Sequence, residues 1–342
     1  MSKSVTCYLK GVAILMMLFL HLFQHLDWDS SLICLLYIGE TPLVYYITRM
    51  CNPVPFFLIL SGYGLYAVYT KWGGVKAGKR VGYLYAHLWL IYLMMVPLAS
   101  YVRPSVYPGS FVTFIKNATS WQCSYIGEQW FFLPYIILMV ASKWIFHIYD
   151  KLKWYWLVVI LVVAWGGTVY ILKRYDGDAL SSYMLFYNVF LAVFMLPSFT
   201  LGYMANRFSW VQKIRNQLVK CGSAKVVIPI LALFALCLFR CCIPNSSIAP
   251  FFAIVFILLF AQIPIEKYMG GALLYLGRHS MNIWLIHTWF STRLFHDFFF
   301  EQLQYPVLIY TTLLVISLAV SNIVELLYKP IAGIVSKIKY KR

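Results

Sequence analysis

Charge is scarce in this chain of 342 residues: Asp, Glu, Lys and Arg together make up 11% of it, and only 11 residues are acidic. Soluble globular domains carry about 25% charged residues, so this composition excludes one as the body of the protein. Cysteine shows no framework either. Cys7, Cys34, Cys51, Cys123, Cys221 and Cys237 are scattered, and the adjacent Cys241-Cys242 pair lacks the spacing of metal ligands, so no metal site is expected. Pairing among Cys34, Cys51 and Cys123 stays open. There is no internal repeat and no low-complexity tract. The first apolar segment is too long for a cleavable leader, and no small-residue cleavage site follows His21.

What the chain does contain is apolar surface. Hydrophobic residues reach 62% and the mean hydropathy is +0.75, values of a polytopic membrane protein. Aromatic residues, at 19%, suit belts at two membrane interfaces. The fold expected is all-α: a bundle of about ten transmembrane helices, near 5–26, 54–70, 83–102, 130–149, 154–172, 183–206, 225–241, 249–265, 271–296 and 306–328. Residues 1–342 are expected to form a single transmembrane domain with no separate soluble part.

Basic residues cluster in alternate connections, such as Lys71, Lys76, Lys79 and Arg80, or Arg207, Lys213, Arg215, Lys220 and Lys225. With the N-terminus in the cytoplasm, 21 of the 28 Lys and Arg fall on that side, so both termini are expected there. Eight acids, namely Asp27, Asp29, Glu40, Glu128, Asp176, Asp178, Asp297 and Glu301, fall on the other side. The net charge of +17 is therefore topological and does not imply a nucleic-acid partner.

Lys10 and His21 stand out because ionisable groups are costly in hydrocarbon. Eleven helical steps advance about 16 Å in roughly three turns, which puts both near one face, the cation at the surface and the imidazole near mid-bilayer. Histidine suits proton transfer near neutral pH, and a cation at the entrance suits a charged donor. The same pair equally fits a lysine reaching to the surface and a histidine hydrogen-bonded inside a bundle. The run Pro53-Val54-Pro55-Phe56-Phe57-Leu58-Ile59-Leu60-Ser61-Gly62-Tyr63-Gly64 opens a helix with prolines and then thins it, which favours helix packing over ligand approach. Glu128, in Gly127-Glu128-Gln129-Trp130-Phe131-Phe132-Leu133-Pro134, is either a helix N-terminal acid or a polar group facing a cavity. His147, His279 and His296 fall near span ends, and His87 reads as a packed or surface-reaching residue.

With these residues in place, the chain resembles the integral-membrane acyltransferase-3 family, which includes O-acetyltransferases of bacterial surface polysaccharides. Lys10 and His21 match its Arg-or-Lys, ten residues, His hallmark on the first helix, and Phe56–Tyr63 its Phe-Phe-x-x-Ser-Gly-Tyr/Phe segment. Lys79-Arg80 is similar to the family's basic pair, Trp130-Phe131-Phe132-Leu133 to its Trp-Phe-Leu element, and Leu201-Gly202-Tyr203 to its Leu-Gly-x turn. Leu276-Gly277-Arg278-His279-Ser280-Met281-Asn282-Ile283-Trp284-Leu285-Ile286-His287 resembles its Leu-Gly-x-x-Ser-x-x-Ile-Tyr-Leu-x-His motif. Lys10 replaces the commoner Arg and Trp284 the usual Tyr, and the extra outward domain that some relatives carry is not expected here.

The resemblance implies a multi-pass protein of the bacterial cytoplasmic membrane. It would transfer an acyl group, usually acetyl, from acyl-coenzyme A to a saccharide or glycolipid hydroxyl. The acyl-coenzyme A is a co-substrate, no cofactor is held permanently, and membrane lipids surround the chain. His21 is then expected as the base, with a covalent acyl-histidine as a second route. Lys10, Lys79 and Arg80 are expected to meet the donor phosphates. Glu128 or His25 would orient the base or meet the acceptor. Ser61, Trp130 and His287 are expected around the acceptor cavity, although helix structure alone accounts for Ser61 and His287. The competing class is a flippase or transporter of polysaccharide intermediates, which would share the spans and buried polar groups but for which paired halves are missing.

Overall fold

The structure, a computed structural model, describes residues 1–24, 32–175 and 183–340. His25 and the acids Asp27, Asp29, Asp176 and Asp178 lie outside the described residues. The architecture is about 81% helical, with one short antiparallel hairpin of β1 (Tyr37–Ile38) and β2 (Thr41–Pro42) among the described residues. The helices, in chain order, are α1 (Lys3–Phe23), α2 (Leu43–Thr48), α3 (Pro53–Trp72), α4 (Ala77–Val102), α5 (Phe111–Ala118), α6 (Phe132–Lys151) and α7 (Trp154–Arg174). They continue with α8 (Met184–Arg207), α9 (Trp210–Val219), α10 (Val227–Cys241), α11 (Ala249–Phe260), α12 (Gly270–Thr288) and α13 (Pro306–Tyr340).

Seven helical stretches among the described residues are long and apolar enough to cross a membrane. They correspond to seven of the ten expected spans. The other three coincide with α10 and α11, of 15 and 12 residues, and with α12, of 19. A bilayer core asks for about 20 residues of helix, which the first two fall short of. Expected span 271–296 also divides: α12 stops at Thr288 and continues as a π-helical turn, Trp289–Leu294. The Ser291 and Thr292 hydroxyls there bond back to the carbonyls of His287 and Thr288.

The helices fall into two compact units. The first comprises Met1–Leu20, Tyr45–Ala77 and Phe131–Arg278 and is built around α8, which packs on α3, α6, α7 and α11. Pro53 and Pro55 open α3, where the missing N–H costs nothing, and Gly73 closes it in the left-handed conformation. The α3–α8 contact is as close as the small residues promised. A Cβ on Gly62 would meet the Phe199 carbonyl, and one on Gly202 would meet the Ile59 carbonyl. Gly64, by contrast, has open space beside it. The Ser61 hydroxyl pairs with Tyr135 Oη at 3.1 Å, a helix-to-helix bond within this unit.

The second unit comprises His21–Val44, Gly78–Trp130 and His279–Arg342. Its core is aromatic: the Trp289 ring lies 5.5–6.2 Å from those of Tyr92, Tyr107 and Tyr125. Gln129, fully buried, ties this core together by donating to the Asn117 carbonyl and the Ser120 hydroxyl and accepting from Tyr92. That network fixes the five-residue 3₁₀ turn Gly127–Phe131, which leads into α6 and carries Glu128. No disulfide joins described residues, so the pairing left open among Cys34, Cys51 and Cys123 is not made in this structure.

Candidate active site

His21 closes α1, in its last turn, rather than standing midway along a longer helix. His287 occupies the last turn of α12 and is completely buried. The two rings, 266 residues apart in sequence, stack in parallel with centroids 4.9 Å apart, and His21 Nδ1 lies 2.7 Å from His287 Nε2.

Their partners settle which nitrogen carries which proton. His287 Nδ1 lies 3.1 Å from the Ile283 carbonyl oxygen and 2.9 Å from that of Trp284. Carbonyl oxygens only accept, so this nitrogen holds the hydrogen. In the neutral ring Nε2 is then the acceptor, and the short bond to it must come from an N–H on His21 Nδ1. The lone pair of His21 is left on Nε2. A buried histidine thus fixes the tautomer of a second one and aims its basic nitrogen away from the pair.

Glu128 completes the group. Its carboxylate acts electrostatically on both His21 and His287. The Trp284 indole N–H donates to the Glu128 carbonyl at 3.2 Å, which ties the 3₁₀ turn to α12. Glu128 is at once the acid in the first turn of Gly127–Phe131 and a carboxylate facing the two histidines, so both sequence readings of it describe the structure. When His21 takes up a proton, an adjacent carboxylate stabilises the imidazolium. The arrangement of base, orienting group and carboxylate follows the logic of a catalytic triad with a histidine in the orienting position.

The other expected residues divide. Trp130 is half-buried in the same turn as Glu128. His287 is completely buried and its Nε2 faces His21 Nδ1. Ser61 is held by Tyr135 in the first unit. Lys10 lies in that unit as well, and with Arg278 it acts electrostatically on Cys7. Arg278 therefore joins Lys10 as a second cation, although its position in the late motif had no assigned role. Lys79 and Arg80 are exposed in the first turn of α4. His279 is not interfacial but buried, with Nδ1 2.7 Å from Ser321 Oγ. Among the described residues no group of His, Cys, Asp and Glu is arranged to hold a metal ion.

The model of a family described as an acyltransferase domain, Acyl_transf_3, matches residues 8–326. The chain belongs to the acyltransferase-3 family. That match spans nearly the whole chain and includes both histidines, Glu128, most of α1 and every helix from α2 to α12. Neither a curated protein nor a solved structure matches it. Family membership and the apolar helices make it a multi-pass membrane protein with an acyltransferase domain.

Proposed function

We propose that this protein is an O-acyltransferase of the bacterial cytoplasmic membrane. In this reading it moves an acyl group, acetyl in the simplest case, from cytoplasmic acyl-coenzyme A to a hydroxyl of a surface polysaccharide or its lipid-linked precursor. The observation that carries the reading is the His21–His287 pair beside Glu128. His21 Nε2 takes the proton of the acceptor hydroxyl as its oxygen attacks the thioester carbonyl. The tetrahedral intermediate then expels the thiolate, which takes the same proton back from His21. Atoms and charge balance with no other reactant. The family resemblance assigns the cations for the donor phosphates to Lys10, Lys79 and Arg80.

The test is vectorial. Purified protein in liposomes receives labelled acetyl-coenzyme A inside and candidate glycans outside. Labelled ester on the outer glycan, absent with His21→Ala, is the expected result. Movement of unmodified glycolipid with no ester formed would overturn the enzyme in favour of a flippase.

Two further outcomes follow from this reading. Lys10→Ala should raise the donor KM by roughly 10- to 100-fold, as loss of a charge-assisted contact does, with kcat little changed. Lys10→Arg should keep near wild-type kinetics, because the family hallmark accepts either cation. Steady-state kinetics with varied donor decide it. In this reading the basic-rich side is cytoplasmic, so both termini and the 71–82 and 207–225 connections face the cytoplasm. Exposed Lys76 and Lys213, replaced singly by Cys, should therefore stay unlabelled by an impermeant maleimide in intact cells and label after permeabilisation. Ready labelling in intact cells would reverse the orientation.

A further inference from the structure

Two arginines meet within the first unit, apart from the residues placed in the acyl transfer. Arg49 lies between α2 and α3, half-buried, and Arg240 lies in the last turn of α10 and is 1% exposed. Arg49 donates from Nη1 to the Cys241 carbonyl at 3.3 Å, and Arg240 donates from Nη1 to the Ile243 carbonyl. The two guanidinium groups act electrostatically on each other, and both act on Cys241, so they occupy one place. The Tyr46 and Tyr45 ring centres lie 4.4 and 5.5 Å from the Arg49 guanidinium carbon and hold that group in position.

What this pair lacks among the described residues is an anion. Neither arginine forms a salt bridge there. The two described acids of the unit, Asp150 and Glu266, belong to the other end of its helices. Asp150 accepts from Tyr66, about 20 Å of helix beyond the start of α3. Glu266 follows the C-terminal end of α11, whereas Arg240 precedes its N-terminal end. The thiols beside Arg240, those of Cys51 and Cys241, carry no charge near neutral pH. The C-terminal carbonyls of α10 offset about half an elementary charge, against two positive ones. Capping of α10 therefore accounts for the two Nη1 bonds but leaves most of the charge uncompensated. A buried charge without a partner is strongly destabilising.

The remaining edge of each guanidinium indicates the partner. Nε of both arginines is buried and has no hydrogen-bond partner. In the planar fork, Nε–H and Nη2–H point the same way from one edge, which grips two oxygens of an oxyanion. With Nη1 committed to the backbone, that edge is the one each arginine keeps for a ligand. Two such edges supply four N–H donors, two from each arginine, together with two positive charges. A carboxylate, with two oxygens and one charge, matches half of this. A terminal phosphate, with three free oxygens and close to two charges, matches all of it. The pair also stands at helix ends, the level at which lipid phosphates lie.

We infer that Arg49 and Arg240 form a binding site for a terminal phosphate group, carried by a lipid or free in solution. The site is independent of the acyl donor and acceptor.

The experiment titrates the purified full chain, in neutral detergent at fixed ionic strength, with three probes. They are short-chain phosphatidate, inorganic phosphate and short-chain phosphatidylglycerol, whose phosphodiester has only two free oxygens and one charge. Wild type should bind phosphatidate more tightly than phosphatidylglycerol if the phosphate comes from lipid, and inorganic phosphate as well if it comes from solution. Arg49→Lys and Arg240→Lys each keep a cation and a donor for the helix carbonyl but lose the Nε–Nη2 edge. Each should weaken that binding about 10- to 100-fold, as loss of charge-assisted hydrogen bonds does. Lys213→Gln, which removes an exposed cation on α9, should leave it within twofold. Melting without ligand reports folding, and if Arg240→Lys does not fold, Arg49→Lys decides. No binding by wild type, equal affinity for phosphatidylglycerol, or unchanged affinity in the folded variants overturns the site. So does a loss confined to one of two folded variants.

Discussion

Replacing His21 by alanine should lower acyl transfer by at least roughly 10²- to 10⁴-fold, the usual contribution of a positioned general base. The protein should still insert and accumulate, because His21 sits half-exposed in the last turn of α1. Donor affinity should change little, since the base acts on the acceptor proton and not on the coenzyme A phosphates. The pH profile carries a second signature. A base works only when deprotonated, so wild-type kcat/KM should rise with pH and level off. The residual activity of His21→Ala should lack that rise. The measurement is ester formation by purified variant and wild type at matched protein amounts across pH. Wild-type activity in a folded His21→Ala protein would remove this residue from the chemistry. The covalent alternative is separated by the same protein: trapping labelled acyl on His21 in the absence of acceptor would replace direct transfer with an acyl-histidine.

The fold was largely open to reading, and the site only in part, for identifiable reasons. Apolar runs of 20 or more residues translate into membrane helices almost by length alone, and α1, α3, α4, α6, α7, α8 and α13 are of that kind. Local length fails where tertiary packing sets the helix end. The expected span 249–265 shrinks to the 12 residues of α11, and 271–296 breaks at Thr288, where Ser291 and Thr292 compete for backbone carbonyls. The Pro53–Gly64 run was legible because prolines and glycines act locally, and Gly62 meets Phe199 as helix thinning suggests. His21 and Glu128 were legible as costly groups in apolar surroundings. Their meeting with His287 was not, because 266 residues separate the two histidines and no local periodicity encodes such a contact. The pairing of buried His87 with Glu325, and of Glu325 with Asn282, was hidden for the same reason.

His287→Ala should cost nearly as much as loss of the base itself, although His287 never touches substrate. With His287 present, its Nδ1–H is committed to the carbonyls of Ile283 and Trp284, and its Nε2 can only accept. His21 is thereby held as the tautomer that carries its lone pair on Nε2. Without that acceptor, His21 populates both tautomers and its ring is no longer stacked, so the reactive nitrogen loses both its charge state and its aim. An orienting partner that fixes the wrong tautomer costs up to about 10⁴-fold in serine proteases, so a loss of roughly 10²- to 10³-fold in kcat is expected here, with donor KM unchanged within a few-fold. A cavity in the core would also follow from removing a fully buried ring, and this alone could reduce the amount of folded protein. His287→Gln separates the two effects. The glutamine amide can donate to the same helix carbonyls through Nε2 and accept from His21 Nδ1 through Oε1. It should therefore recover a large part of kcat, restoring the pH profile of the wild type. If His287→Gln folds and remains as inactive as His287→Ala, the orienting role fails, and the imidazole of His287 must itself carry a proton in the reaction.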